Sequence, residues 1–341
     1  MKSQAGSAPA FVILGGVVLA LALAELVLGP VRIAPADAFN ALFGTSGDVE
    51  EAIIWQIRLP RLLLGCAVGV ALAASGTALQ GVLRNPLADP GLIGVTAGAS
   101  LGAVTIIVLG NAVAPAVPEA YRAWLLPAGA FAGALTVNLA VFAISRRAGE
   151  TSVATLILAG IALNAIAGSG IGALIYLSDD QQLRDLNFWL LGGLGGAIWP
   201  LVNVVCLITL VSVPLLLRLG RPLDLMQLGE RAAFHSGLDV ERCKRTVAIT
   251  TAFSVGAVTA AAGPIGFIGL VAPHLARLLL GARHALVLPA ACLLGVALVL
   301  AADLTVRTAV PPAEPPIGLA TSLIGGPFFL WLLMTRHTRH A

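Results

Sequence analysis

The sequence predicts an all-α, polytopic membrane protein of about ten helices, and three observations carry that expectation. Apolar residues make up 58% of the 341-residue chain and charged residues 11%, and the mean hydropathy is +0.95. The apolar residues fall in runs of about 18 to 25, the length that crosses a bilayer core. Lys and Arg gather on alternate sides of those runs. The net charge of +3 is too small to suggest a nucleic-acid partner.

Hydropathy places the spans at roughly 10–29, 61–83, 92–110, 124–144, 153–177, 198–217, 246–262, 266–280, 285–302 and 317–335. The first run follows Lys2 as a signal peptide would, but it is long for one and little soluble chain follows, so a retained helix is expected. With ten alternating spans and a cytoplasmic N-terminus, 14 of the 20 Lys and Arg residues fall inside. Only Arg32, Arg58, Arg61, Arg122, Arg184 and Arg307 fall outside. That bias puts both termini in the cytoplasm.

Within the second span Gly65, Gly69, Ala73 and Thr77 recur every fourth residue, a smooth ridge on which another backbone can settle. The stretch "RNPLADP", Arg84 to Pro90, separates the second and third spans. Its two prolines stop helices, and Asn85 and Asp89 can bond neighbouring backbone groups, so a tight cytoplasmic turn between antiparallel helices is expected. The eighth span, "AAGPIGFIGLVAPHLARLLLG", carries two prolines and reads as a broken helix. Such breaks are tolerated at membrane depth only against protein or a cavity.

The longest hydrophilic stretch, 218–245, is cytoplasmic by this count. It reads as a short helix from about Leu225 to His235, a turn at Ser236 and Gly237, and a second helix capped by Asp239. Leu225, Met226, Leu228, Ala232 and Ala233 give it an apolar surface, suited either to lying on the protein or membrane interface or to a partner's groove.

Several chemistries are disfavoured. Cys66, Cys206, Cys243 and Cys292 lack metal-ligand spacing and read as packing thiols. Neither Lys2 nor Lys244 lies in a phosphate-binding GxxxxGK[ST] loop, so any ATP and its Mg must bind another polypeptide. "GASLG", Gly98 to Gly102, fits a nucleophile-elbow pattern, but it lies in an apolar helical run, where Ser100 is a packing residue. Ion-coupled secondary transport normally needs charged groups near midplane, and Glu25, toward the outer end of the first helix, is the one acid in a span interior by this count. No catalytic residue, resident cofactor or metal site is expected. His235, His274, His284, His337 and His340 all fall on the inner side, and Tyr176 reads as an interfacial anchor.

The segments "RLPRLL", "SGTALQGVLRNPLADPGLIGVTAGASLGA", "LILAGIALNAI", "FWLLGGLGG", "LGERAAFHSGLDV", "GPIGFIGLVAPHLARLLLGARH", "LPAACLLGVALVLAADLTVR" and "EPPIGLATSLIGGPFFLWLL" follow one another from Arg58 to Leu333. Together they resemble the permease subunits of type II ABC importers for iron complexes, haem and vitamin B12. The resemblance implies one transmembrane permease domain over 1–341, with 218–245 as a cytoplasmic coupling loop, in a bacterial inner membrane. It implies a second copy of the chain, two ATP-binding cassette subunits, and a periplasmic binding protein that delivers the substrate. Leu225, Met226, Leu228, Gly229 and Glu230 would then couple to the ATPase.

Arg58, Arg61 and Arg307, which on pattern alone could contact lipid headgroups, would by the resemblance receive acidic knobs of the binding protein. Arg184 in "QLRDLNFW" reads either as a surface arginine paired with Asp179, Asp180 or Asp185, or, by likeness to the haem-importing members, as a guanidinium in the substrate pathway. Haem is therefore the expected cargo, with a ferric siderophore or vitamin B12 as alternatives and an ion-coupled transporter as the remaining one.

Overall fold

The first helix, α1 (Ser7–Val27), is followed by a short helix, α2 (Pro35–Leu42), and by α3 (Asp48–Leu83). The structure, a computed structural model, describes residues 7–45, 47–147, 149–309 and 314–337; Lys2, Arg339 and His340 lie outside these. Then come α4 (Val95–Val113), α5 (Leu125–Ser145), α6 (Val153–Tyr176), α7 (Asp180–Leu191), α8 (Trp199–Leu217), α9 (Gly220–Met226), α10 (Glu230–His235), α11 (Val240–Ala262), α12 (Ile268–Leu280), α13 (His284–Ala309) and α14 (Ile317–His337). Among the described residues eight helices are long and apolar enough to cross a bilayer, and α12 and the apolar part of α14 are shorter.

Helix α3 is the most buried of the long helices and packs on α8, α11, α12 and α13. Its small-residue ridge explains why. A Cβ on Gly69 would lie 2.6 Å from the backbone of Gly295 and Val296, and one on Gly76 would lie 2.0 Å from the Gly269 carbonyl oxygen. Side chains are excluded there because the backbones themselves touch. Gly98 and Gly102 do the same for the α4–α5 contact, where added Cβ atoms would meet the carbonyls of Gly133 and Gly129 at 2.4 and 2.1 Å. Ser100 is buried between them, a packing residue as expected.

The sequence boundaries fail in two instructive places. The second span does not begin at 61: the helix starts at Asp48 and passes through a π turn, Ile53–Arg58, just before Pro60. A wide turn there accommodates the proline ring and its missing donor. The ninth span likewise continues past 302 to Ala309.

The stretch holding the eighth span breaks at the first of its prolines, Pro264, whereas Pro273 is accommodated inside a continuous helix. Residues 263–267 are non-helical, with Gly263 at φ +68° and Phe267 at φ +68°, and α12 then runs for 13 residues. At 1.5 Å per residue that is about 20 Å, short of a bilayer core of about 30 Å. The break is enclosed by protein: the Gly193 N–H donates to the Ala262 carbonyl at 2.8 Å, and a Cβ on Gly192 would lie 2.4 Å from the Pro264 carbonyl oxygen.

Candidate functional site

The "RNPLADP" turn is a seat tied to three helices. Arg84 takes a left-handed conformation at the end of α3, φ +49°. Asn85 Oδ1 accepts from the Leu87 N–H at 2.9 Å, and Asp89 Oδ1 accepts from the Gly91 N–H at 2.8 Å to cap a 3-10 turn, Pro90–Ile93. Gln80 Nε2 donates to the Ala88 and Gly269 carbonyls at 3.2 Å each, while Gln80 Oε1 accepts from Arg277 Nη1 at 2.6 Å. Asn164 Nδ2 donates to the Gly91 carbonyl at 2.9 Å. Gln80 and Asn164 thus fix the turn to α3 and α6 and, through Gly269 and Arg277, to α12.

Segment 218–245 rests on this seat. The expected single helix from Leu225 to His235 is instead two, α9 and α10, separated at Gly229, whose φ of +104° a residue with a Cβ adopts only under strain. Asp239 does cap α11, accepting from the Arg242 N–H at 2.9 Å. Leu223 and Met226 are fully buried and Leu225 half-buried, so Met226 is an internal anchor and presents no surface to a partner. Gln227 Nε2 donates to the Gly81 carbonyl at 3.0 Å. The Asp224 carboxylate accepts from the His284 N–H at 2.7 Å.

Glu230 is also internal on one side, 2.8 Å from Lys244 Nζ. That buried ammonium donates to the Thr151 carbonyl at 2.8 Å and contacts Glu241 at 3.2 Å, while Glu241 accepts from the Thr151 N–H and hydroxyl at 3.0 and 2.7 Å. The large apolar side chains that remain exposed are Leu228 (70%) and Phe234 (67%), with the small Ala232 between them in sequence also exposed. Phe234, overlooked in the sequence, stacks edge-on with His235 at 5.9 Å between ring centroids. An aromatic ring in the longest hydrophilic stretch was the signal available.

At the other end of the bundle the three arginines expected on the outer surface are buried. Because α3 begins at Asp48, Arg58 and Arg61 lie inside a helix and not at its exposed start. Arg61 pairs with Asp303 through two contacts of 2.9 Å and with Glu314 at 2.6 Å. Arg307 reaches across to Glu25 at 2.5 Å, and Arg58 donates to the Leu26 and Val31 carbonyls. The lone acid of the first span is therefore half of a buried ion pair. Expected exposure and observed burial disagree for all three because helix extension turns these positions onto α1 and α13.

Arg184 lies on α7, whose start is fixed by a reciprocal cap: Asp179 Oδ1 accepts from the Gln182 N–H at 2.8 Å and Gln182 Oε1 from the Asp179 N–H at 3.1 Å. Leu183, Leu186 and Leu190 face Val104, Val108 and Ile171, leaving Arg184 and Phe188, one turn apart, exposed on another face. Arg184 Nη2 donates to Gln181 Oε1 at 2.8 Å. Among the described residues no carboxylate forms an ion pair with it, and Asp179 and Asp185 are engaged with Gln182 and Gln181.

Residues 17–335 match the FecCD transport family. The chain is 43% identical to the hemin transport system permease protein HmuU of Yersinia pestis, over 95% of this chain and 96% of that protein. It is 39% identical to the cobalamin import system permease protein BtuC of Halobacterium salinarum, over 86% of this chain and 76% of that one. A solved structure described as an inward-facing conformation of a metal-chelate type ABC transporter superposes with a TM-score of 0.83 at 31% identity, covering 94% of this chain and 97% of that one.

Proposed function

This chain belongs to the FecCD transport family, and from that premise we propose that it is the permease subunit of an ATP-driven importer that moves haem across the bacterial inner membrane. Its fold is that of the type II ABC importer permeases. It works as a dimer, with two cytoplasmic ATPase subunits and a periplasmic protein that delivers the cargo, and both of its termini are cytoplasmic. ATP and Mg bind the ATPase subunits.

The exposed Arg184 beside exposed Phe188 is the observation that carries the haem reading. Haem is a flat apolar ring bearing two carboxylates, and a guanidinium with no carboxylate partner among the described residues, beside an aromatic ring, offers a two-pronged bond to a propionate and a face for the porphyrin. The hemin permease relative supports it. Cobalamin is the second reading, favoured by the cobalamin permease relative.

The coupling surface is narrower than the sequence suggests. Leu228 and Phe234 enter the ATPase groove, while Leu225, Met226, Gly229 and Glu230 hold them rigidly on the bundle. Docking of the binding protein at Arg61 works by exchange: an acidic group replaces Glu314, whose side chain is 40% exposed. Arg58 and Arg307 support that site from within.

The deciding experiment reconstitutes the permease with its cognate ATPase and binding protein in vesicles and follows ATP-dependent accumulation of haem, cobalamin and a ferric siderophore. Haem should accumulate and the others should not. Preferential uptake of cobalamin or siderophore overturns the cargo, and uptake that survives disabling the ATPase's catalytic glutamate overturns the ABC mechanism.

A further inference from the structure

Helices α8 and α11 pack along part of their length but leave an apolar groove, lined by Leu207, Ile208, Val211, Leu215, Ile249 and Phe253. Leu207, Val211 and Leu215 stand four residues apart on α8, and three residues further on comes Arg218. On α11 the line runs the other way: Phe253, then Ile249, then Arg245 and Arg242, at intervals of four, four and three. These spacings keep each set on one helix face. The groove is thus a two-sided apolar channel, and three arginines gather where it reaches the end of the bundle.

All the residues of both lines are exposed, including Arg218, Arg242 and Arg245. Among the described residues no ion pair engages any of these three guanidinium groups. The nearby carboxylate of Glu241 is already taken by Lys244 and Thr151, and Asp239 Oδ1 accepts from the Arg242 N–H. The Thr250 hydroxyl at the floor is turned back onto the Thr246 carbonyl at 2.6 Å, which leaves that part of the floor without a free donor. Phe253 is held edge-on to Phe131, ring centroids 5.8 Å apart, and forms a fixed wall at the far end.

We propose that this groove binds one anionic phospholipid of the inner leaflet, its acyl chain along Leu207–Leu215 and Ile249–Phe253 and its phosphate among Arg218, Arg242 and Arg245. The apolar length from Leu207 to Leu215 is about 12 Å, the right order for the upper part of an acyl chain lying at bilayer depth. The arginines sit at the end of the spans that the positive-inside bias assigns to the cytoplasm, where anionic headgroups concentrate. A planar guanidinium fits a phosphate in two-pronged fashion and is only weakly hydrated, so three of them discriminate against a zwitterionic headgroup. The site shares no residue with the Arg184 helix or the Leu228–Phe234 surface, although its arginines lie at the two ends of the 218–245 segment. Its occupant would brace α8 against α11, the two helices that flank the 218–245 segment.

The test uses the purified full-length protein in detergent, with native mass spectrometry reading the lipids retained after titration with dioleoyl phosphatidylglycerol, cardiolipin or dioleoyl phosphatidylcholine. The wild type should retain the anionic lipids at least tenfold better than phosphatidylcholine, with each arginine adding on the order of fivefold. The Arg218→Gln/Arg242→Gln/Arg245→Gln variant should lose that preference. Ile249→Trp, which fills the groove and leaves the arginines in place, should lose the retained lipid as well. Single Arg→Gln variants give the same readout if the triple variant does not fold. Equal retention of anionic and zwitterionic lipid by the wild type overturns the proposal. So does an anionic preference that survives arginine removal while ATPase co-purification falls, an outcome that would assign the arginines to the ATPase.

Discussion

The Arg61 guanidinium and the Asp303 carboxylate meet in a two-pronged pair, Nε and Nη2 each 2.9 Å from a carboxylate oxygen, 242 residues apart in the chain. Both side chains are almost wholly buried, at 7% and 1% exposure. Neither charge has water to return to if the other is removed. Arg61→Ala or Asp303→Asn should therefore each cost about 3–5 kcal/mol of stability. The apolar double variant Arg61→Met/Asp303→Leu should recover most of that loss, because it leaves no orphaned charge. Glu314→Gln, at the exposed side of the same guanidinium, should cost less than about 1 kcal/mol. Thermal unfolding in detergent measures all four. Additive losses in the double variant would show that the pair itself is not the source.

Leu228→Asp and Phe234→Asp should lower co-purification with the ATPase by roughly tenfold or more, since each places a charge on the exposed apolar surface assigned to the groove. Neither change touches the core, and the thermal transition should stay where it is. Met226→Asp should behave differently and lower the yield of folded protein, because Met226 has no exposure at all. Unchanged ATPase assembly in the Leu228 and Phe234 variants would remove the coupling assignment.

Arg184→Ala should reduce haem uptake in reconstituted vesicles severalfold while leaving dimer assembly and basal ATP hydrolysis unchanged. Arg184→Lys should restore only part of the uptake, since an ammonium keeps the charge but loses the planar fork. Asp185→Ala, whose carboxylate accepts from Gln181 and forms no ion pair with Arg184 among the described residues, should leave uptake near normal. Wild-type uptake by Arg184→Ala would return this residue to an ordinary surface arginine.

Gly76→Ala should destabilise the bundle by about 1–3 kcal/mol or prevent its assembly, because the new methyl group would sit 2.0 Å from the Gly269 carbonyl oxygen. Gly168→Ala, where an added Cβ meets nothing within 4 Å, is the matched control and should be neutral or slightly stabilising. A common response of the two in a thermal melt would mean that the close approach of α3 and α12 does not limit stability.

Asp89 titrates against the fold. Burial pushes its carboxyl above the usual carboxylate range, and the Gly91 N–H only partly offsets this. The native protein therefore holds this proton to higher pH than the unfolded chain does. The contribution to stability is greatest below the unfolded value and falls as pH rises through the window up to the folded value. Asp89→Asn keeps the cap and removes the titration, so it should flatten that part of the melting-temperature profile. Asp89→Ala should lose the cap as well, at a cost of about 1 kcal/mol. An unaltered pH profile in the asparagine variant would show that another group sets it.

Much of this organisation is legible in the chain itself. Apolar runs and breaks determined the helices, since a bilayer core leaves no other way to satisfy the backbone of a single segment. Pro264, in the Gly263–Phe267 stretch, determined the break before α12, whereas Pro273 left that helix continuous. The spacing of Gly65, Gly69, Ala73 and Thr77 determined that α3 would run inside the bundle, and Asp239 determined the start of α11. Each of these signals is local: helix periodicity, a missing donor, a capping side chain.

The tertiary structure alone decided which face each charge would meet. Arg58, Arg61 and Arg307 look like surface arginines in one dimension because nothing local shows that α3 reaches back to Asp48 or that α13 runs on to Ala309. The acidic partners of Arg61 and Arg307 lie between 242 and 282 residues away in the chain, and Arg58 donates to the backbone carbonyls of Leu26 and Val31. The same holds for Met226 and Phe234, two apolar residues of one loop whose fates, buried anchor and exposed knob, depend on the left-handed turn at Gly229 and on the seat that Gly81, Gln80 and Asp89 build beneath it. Burial is a property of what packs across, and long-range packing leaves no periodic trace in the sequence of either partner alone.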